Sequence, residues 1–241
     1  MGEPAFQALK RNEQFQFRCH PDVACFTACC RSLDLALTPY DVLRLKRALN
    51  IDSSAFLNNY VIVAWEEGEL FPQCFLTMVD DGQASCTFIS AAGCRVYEDR
   101  PGACRSYPAG RGVSRNPNGI AHEQFVLVQE DHCLGHQQHG LQTVDEFFND
   151  QGLEPYNHFN DAMIELLQHP QVRKGFSLSR VQVDKYLLAL YDLDTFRKEI
   201  VAGRISLPAT LLSSELQAVA GDDEQLLLFG IRWLQQDFFG K

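Results

Sequence analysis

The sequence predicts an α+β fold: a cysteine-rich, loop-rich domain of short strands and a few helices over residues 1–140, followed by an α-helical region over residues 141–241. Three observations predict it. Cys19, Cys25, Cys29 and Cys30 fall in the first thirty residues, and Cys86, Cys94, Cys104 and Cys133 follow. Between residues 74 and 133 apolar runs of about four residues alternate with turn signals, a pattern of short strands. From Thr143 onward the apolar residues recur at helical spacing.

Residues 1–18 read as a lead-in that ends in a short strand at Phe15-Gln16-Phe17. The block 19–30 has no helical period and reads as loop. Thr38-Pro39-Tyr40-Asp41 starts a helix, with Thr38 as N-cap, Pro39 at the first helical position and Asp41 as the capping-box acid. Val42, Leu43, Leu45 and Leu49 supply its apolar stripe, and a second helix begins at Ser53 or Ser54. Cys74–Val79 is strand-like and Asp80-Asp81-Gly82-Gln83 a turn. Cys86–Ile89 and Cys94–Tyr97 are strands around Ser90–Gly93, with Cys86 and Phe88 on one face by alternation. Arg100-Pro101-Gly102 breaks the chain before Cys104, and Phe125–Val128 is a strand that delivers Cys133. Thr143-Val-Asp-Glu146 is a capping box. Ser179–Val201 is a long periodic stretch, and Gln225–Phe239 a final apolar helix.

The cysteines carry the chemistry. Thiolates are soft ligands that select zinc, copper(I) or iron–sulfur clusters. Residues 1–17 are polar, without the apolar run of a secretory signal, and no stretch approaches 18 uninterrupted apolar residues. The expectation is a cytoplasmic protein with no membrane partner, whose thiols stay reduced. The odd cysteine count and the adjacent Cys29-Cys30 pair also favour metal over disulfides. Two neighbouring thiolates suit two metal bonds pointing different ways. A zinc site closes with four Cys or His ligands, and a four-iron cluster takes four cysteines. Eight thiols fill two such sites, divided either as the first block and the rest or with mixed shells. A net charge of −10 with dispersed basic residues excludes an extended nucleic-acid partner.

The remaining candidates have plainer readings. Cys74, between apolar neighbours, reads as a buried thiol. His136 stands at ligand spacing from Cys133, in a polar segment that reads as a solvated loop. Arg100 and Arg105 flank Cys104 and are expected to orient and charge-compensate a cluster. Tyr97, Tyr107 and Pro108 read as packing around the site.

Phe17-Arg18-Cys19 and Cys25-x3-Cys29-Cys30 resemble the opening of the YkgJ-type cysteine-cluster family, whose domain is described as zinc- or iron-chelating. Gly93-Cys94-Arg-Val-Tyr-Glu-Asp-Arg-Pro-Gly-Ala-Cys104-Arg-Ser-Tyr-Pro108 is similar to the family's C-x-Y-x-x-R-P-x-x-C-R-x-[FY]-P stretch, and Cys133-Leu-Gly to its last cysteine. The resemblance covers residues 15–140. The first block departs from the family spacing of three and two residues, with five and three, which makes His20 an alternative nitrogen ligand. The resemblance implies a protein-bound metal, zinc or one or two 4Fe–4S clusters, and names no activity. A similar cysteine pattern also looks like part of flagellin lysine methylases.

Three functions follow as expectations. The first is a redox or iron-handling protein whose metal is held by Cys19, Cys25, Cys29, Cys30, Cys86, Cys94, Cys104 and Cys133. The second is a structural zinc module whose helices present a surface to an unknown protein partner. The third is a cluster-dependent protein-modifying enzyme, against which stand the missing Gly-rich dinucleotide loop, P-loop and nucleophile elbow.

Overall fold

The computed structural model describes residues 4–116, 120–207 and 213–240. Residues 1–3 of the lead-in lie outside the described residues. In chain order the strands are β1 (Ala5–Leu9), β2 (Gln14–Gln16), β3 (Ala36–Leu37), β4 (Val61–Ala64), β5 (Gln73–Leu76), β6 (Met78–Val79), β7 (Ser85–Cys86), β8 (Ile89–Ser90), β9 (Gly93–Cys94), β10 (Ala109–Arg115), β11 (Ala121–Gln129) and β12 (Leu141–Thr143). The helices are α1 (Pro39–Leu49), α2 (Ser53–Tyr60), α3 (Gly102–Ser106), α4 (Val144–Asp150), α5 (Glu154–Leu167), α6 (Pro170–Arg173), α7 (Arg180–Leu190), α8 (Leu193–Val201), α9 (Ser213–Gly221) and α10 (Asp223–Phe239). The α+β class is the one the sequence predicts.

Contacts divide the chain into two compact units, each built from two separate segments. Unit 1 takes Met1–Leu35 and Leu76–His158; unit 2 takes Ala36–Phe75 and Phe159–Lys241. The helices α1 and α2 thus belong to the same unit as the C-terminal helices.

Unit 1 holds the eight cysteines. Its largest sheet is antiparallel, in the order β1-β11-β10. β1 pairs with β11 from Ala5 opposite Gln129 to Leu9 opposite Phe125, a strand in the part of the lead-in before the one read at Phe15–Phe17. β2 pairs with β12, Phe15 opposite Gln142. Period-two alternation sends Phe15 inward and Gln14 and Gln16 outward. Leu9, Phe15, Phe17, Phe125, Leu127, Val144 and Phe147 form the core, with Tyr107, Cys133 and Phe148 packed against it. The rings of Phe15 and Phe147 meet edge to face at 5.5 Å. Each such buried side chain contributes about 1.5–3 kcal/mol by leaving water. The Thr143–Glu146 capping box closes both of its reciprocal bonds at the start of α4.

The cysteine-bearing strands are shorter than the sequence suggests. Cys86–Ile89 is not one strand: β7 ends at Cys86, and the Phe88 N–H donates to the Cys86 sulfur at 3.5 Å across a turn before β8. β9 stops at Cys94, and Tyr97–Asp99 is a 3-10 turn rather than strand. After the break that the sequence suggests at Arg100-Pro101-Gly102, Cys104 lies inside the short helix α3. A sulfur accepting a backbone N–H competes with the ladder bond that would extend the strand.

Unit 2 is mainly helical. α1 starts with the reciprocal Thr38–Asp41 capping box and ends at Asn50 in the left-handed region, φ 53°. The ring of Tyr40 stacks on Phe159 at 4.3 Å. The periodic stretch Ser179–Val201 divides into α7 and α8. Three hydrogen bonds fix the break between them: the Tyr191 hydroxyl donates to the Leu37 carbonyl at 3.3 Å, and the Ser53 and Ser54 hydroxyls donate to the Asp192 carboxylate at 2.7 and 2.9 Å. Among the described residues no helix is long and apolar enough to cross a membrane.

Lys46 is buried between Asp194 at 2.8 Å and Asp223 at 3.0 Å. Burial alone would raise the Asp194 carboxyl, but Lys46 and the Ser53 N–H outweigh it and hold the group below the ordinary 3.8. A depressed carboxylate stabilises the fold fully above its unfolded value and loses that contribution as pH falls through the folded value. Stability of unit 2 is therefore expected to decline as pH drops below about 4. Both tryptophans, Trp65 and Trp233, lie in unit 2, so urea midpoints followed by tryptophan fluorescence test this directly. A midpoint unchanged between pH 5 and pH 2.5 would refute it.

Candidate metal centre

The first cysteine block is a series of turns ending in a 3-10 turn over Ala28–Cys30, entered through Thr27 at φ 66°. This leaves Cys29 and Cys30 adjacent and in contact. The Cys30 S–H donates to the Cys29 sulfur, which lowers the Cys29 thiol and raises Cys30.

Around Cys29 the fold collects one group of thiols. The Arg18 N–H donates to the Gly135 carbonyl at 3.1 Å, which sets Cys19 beside the turn that follows Cys133. Glycine is required there: a Cβ at position 135 would stand 2.5 Å from Cε2 of Phe17 and 3.2 Å from the Arg18 carbonyl oxygen. The Leu134 N–H donates to the Cys25 sulfur at 3.2 Å, which brings Cys25 to the same turn. Burial pushes the Cys19 thiol up to about 11, with further upward pushes from Cys29, Cys25 and Cys133. Burial also raises Cys133; the Tyr107 hydroxyl and the Gly135 N–H oppose it, and Cys25 and Cys29 add to it. The Tyr107 hydroxyl faces Cys133 and Glu130 without closing a hydrogen bond of ordinary geometry, and its ring packs edge-on against Phe17 at 6.0 Å.

Around Cys30 the fold collects a second group. Arg31 forms an antiparallel bridge with Ser85, and the Ser32 N–H donates to the Ala84 carbonyl at 2.9 Å. These bonds lay Cys30 alongside Cys86. Cys94 pairs with Ile89 in the next two-stranded ladder, and the Arg95 N–H closes it on the Phe88 carbonyl at 2.9 Å. Burial raises Cys86 first, and Cys94 raises it further. Cys30 is raised first by its bond to Cys29, then by burial, and also by the nearby thiols of Cys86 and Cys104.

Arg100 and Arg105 are both buried beside Cys104. Arg105 donates Nε to the Arg100 carbonyl at 3.1 Å, Nη1 to the Gln151 carbonyl at 2.7 Å and Nη2 to the Glu98 carbonyl. Its guanidinium lies 4.9 Å from the centre of the Tyr156 ring. Arg100 donates to the Tyr97 carbonyl and the Gln151 side chain, both at 2.6 Å, and lies 3.8 Å from the centre of the exposed Tyr97 ring. These arginines shape the backbone on either side of Cys104.

Three residues weighed from sequence stand apart. Cys74 is fully buried in unit 2, and burial pushes its thiol up to about 12. His20 lies 3.6 Å from the Asp22 carboxylate. His136 packs against the Phe17 ring at 5.3 Å, and both its ring nitrogens are buried without a hydrogen-bond partner among the described residues, whereas the sequence suggests a solvated loop.

None of the nine cysteines forms a disulfide. Among the described residues no three His, Cys, Asp or Glu side chains converge on one ion-sized centre. What fits a metal is the donor chemistry: thiols from distant segments are brought together, and a bound cation favours their thiolate forms. No curated protein and no solved structure matches the chain. A family model does, over residues 18–134; its CxxCxxCC name has two residues in the first interval, not the three expected from the resemblance, and this chain has five. Residues 18–134 match the CxxCxxCC family, described as a "Putative zinc- or iron-chelating domain".

Proposed function

We propose that Cys19, Cys25, Cys29, Cys30, Cys86, Cys94, Cys104 and Cys133 hold iron in one or two 4Fe–4S clusters, in a redox or iron-handling protein. The observation that supports this reading most is the gathering of thiols from four separate stretches around the Cys29–Cys30 turn. Sulfur dominates the donors gathered there, and thiolate-rich surroundings favour soft or iron–sulfur chemistry. Arg100 and Arg105 act in this reading as positioning residues, holding the backbone that presents Cys104. When bound, the cluster supplies reversible one-electron chemistry; the chain supplies thiolates and a fixed backbone.

One observation favours zinc instead. The ladders β6–β7 and β8–β9 are only two residues per strand. Such short hairpins are marginal alone, and a structural zinc would stabilise them.

Metal and acid-labile sulfide assays on protein purified without oxygen separate the two. Iron with matching sulfide, and absorption at roughly 400 nm from thiolate-bound clusters, is the expected result. Stoichiometric zinc without sulfide would replace it with the structural reading, and purified protein with no metal that takes none up would overturn both.

A further inference from the structure

We infer that the eight cysteines form two separate four-thiolate sites, Cys19/Cys25/Cys29/Cys133 and Cys30/Cys86/Cys94/Cys104, with the boundary running between the adjacent Cys29 and Cys30. The inference rests on the reading of these cysteines as metal ligands and holds for either metal. It differs from a division by sequence block, which would keep the first four cysteines together.

Two independent sets of backbone bonds carry it. The Arg18–Gly135 bond and the Leu134 N–H to Cys25 sulfur bond tie Cys19 and Cys25 to the Cys133 turn. Both reach across more than a hundred residues, and neither involves the segment 84–104. The Arg31–Ser85 bridge, the Ser32–Ala84 bond and the Cys94–Ile89 pairing tie Cys30 to the two small ladders that carry Cys86 and Cys94. Cys104 enters on α3, whose approach is fixed by Arg105 on the carbonyls of Glu98 and Arg100. The groups meet at the adjacent Cys29 and Cys30, in the turn Ala28–Cys30.

Each site has the valency of a closed tetrahedral zinc centre or of one four-iron cluster. As zinc enters a site, each thiol that bonds it loses its proton to solvent, with no change of oxidation state. Cys74, buried in unit 2, belongs to neither.

The test uses the full chain and zinc(II) alone. Reduced, metal-free protein is loaded with one and then two equivalents of zinc, alkylated briefly, and examined as intact molecules by fragmenting mass spectrometry. Cys74 apart, each singly loaded molecule is expected to carry four alkyl groups, all on one quartet, and the doubly loaded protein none. The paired variants Cys25→Ser/Cys133→Ser and Cys94→Ser/Cys104→Ser should each bind one equivalent instead of two and keep the opposite quartet protected. Protection that crosses the quartets, or of all eight thiols by a single centre, would overturn the division while leaving the metal reading intact. Wild-type protein that takes up no zinc and is alkylated throughout would overturn the metal reading itself.

Discussion

Replacing Gly230 with alanine is expected to destabilise unit 2 by about 2 kcal/mol, the balance of two opposed effects. A Cβ at position 230 in α10 would stand 2.4 Å from the backbone carbonyl oxygen of Ala189 in α7, and 3.5 Å from the Ala189 Cβ. The obstacle is main chain inside a helix, so no rotamer change relieves it and the helices must separate. Overpacking of this kind costs about 3 kcal/mol or more, and the better helix propensity of alanine returns about 1. The surroundings amplify the effect: Leu190, Leu226, Leu227 and Leu234 are fully buried, and separating α7 from α10 opens voids beside them. Gly221 is the control, since nothing lies within 4 Å of a Cβ there, and alanine at that position should be neutral or stabilising. Urea unfolding followed by tryptophan fluorescence measures both variants. Equal midpoints for the two would show that α7 and α10 adjust freely.

The second large effect is expected at Arg105. Methionine in its place leaves the carbonyls of Glu98, Arg100 and Gln151 without their donor. An unsatisfied buried acceptor costs about 1–3 kcal/mol, so the total is expected to be about 3 kcal/mol after partial rehydration. Lysine tests what the residue is for. It keeps the positive charge beside Cys104 but has no planar fork to span three carbonyls. If Arg105 acts by shaping the backbone, Arg105→Lys should be nearly as unstable as Arg105→Met, and Cys104 should alkylate faster in both metal-free variants. Full recovery by lysine would show that charge near the thiols is what matters.

What sequence reveals here is what is local. The capping boxes at Thr38–Asp41 and Thr143–Glu146 are legible because partners three residues apart decide them. Phe15 and Phe17 announce themselves by alternation. β1 is not legible, because Phe6 and Val128 pair across a separation that no window spans. The same limit hides the discontinuity of the two units and the placement of α1 and α2 with the C-terminal helices. At the candidate site, spacing reveals valency but not neighbours: Cys133 comes beside Cys19 and Cys25 through backbone bonds made by Arg18, Leu134 and Gly135. Arg105 is conspicuous in the sequence next to Cys104, yet its donors go to carbonyls brought together by the fold. Only the steric fit of Gly135 against Phe17 explains why the residue after Leu134 is glycine.

The interleaving of the two units sets the order in which they can form during synthesis. The segment Ala36–Phe75 leaves the ribosome before the 83 residues Leu76–His158, and its unit is completed only by Phe159–Lys241. At about 5–20 residues per second, the first helical pair waits on the order of 4–17 s before its partner segment begins to emerge. During that interval the apolar faces of Val42, Leu43, Leu45 and Phe56, all buried in the finished unit, have no partner from the later helices. Unit 1 has all of its chain by His158 and can close first, with Ala36–Phe75 as an open excursion from it. Truncating the chain after residue 158 would therefore not yield one clean unit; it would leave a stranded helical pair in search of any apolar surface.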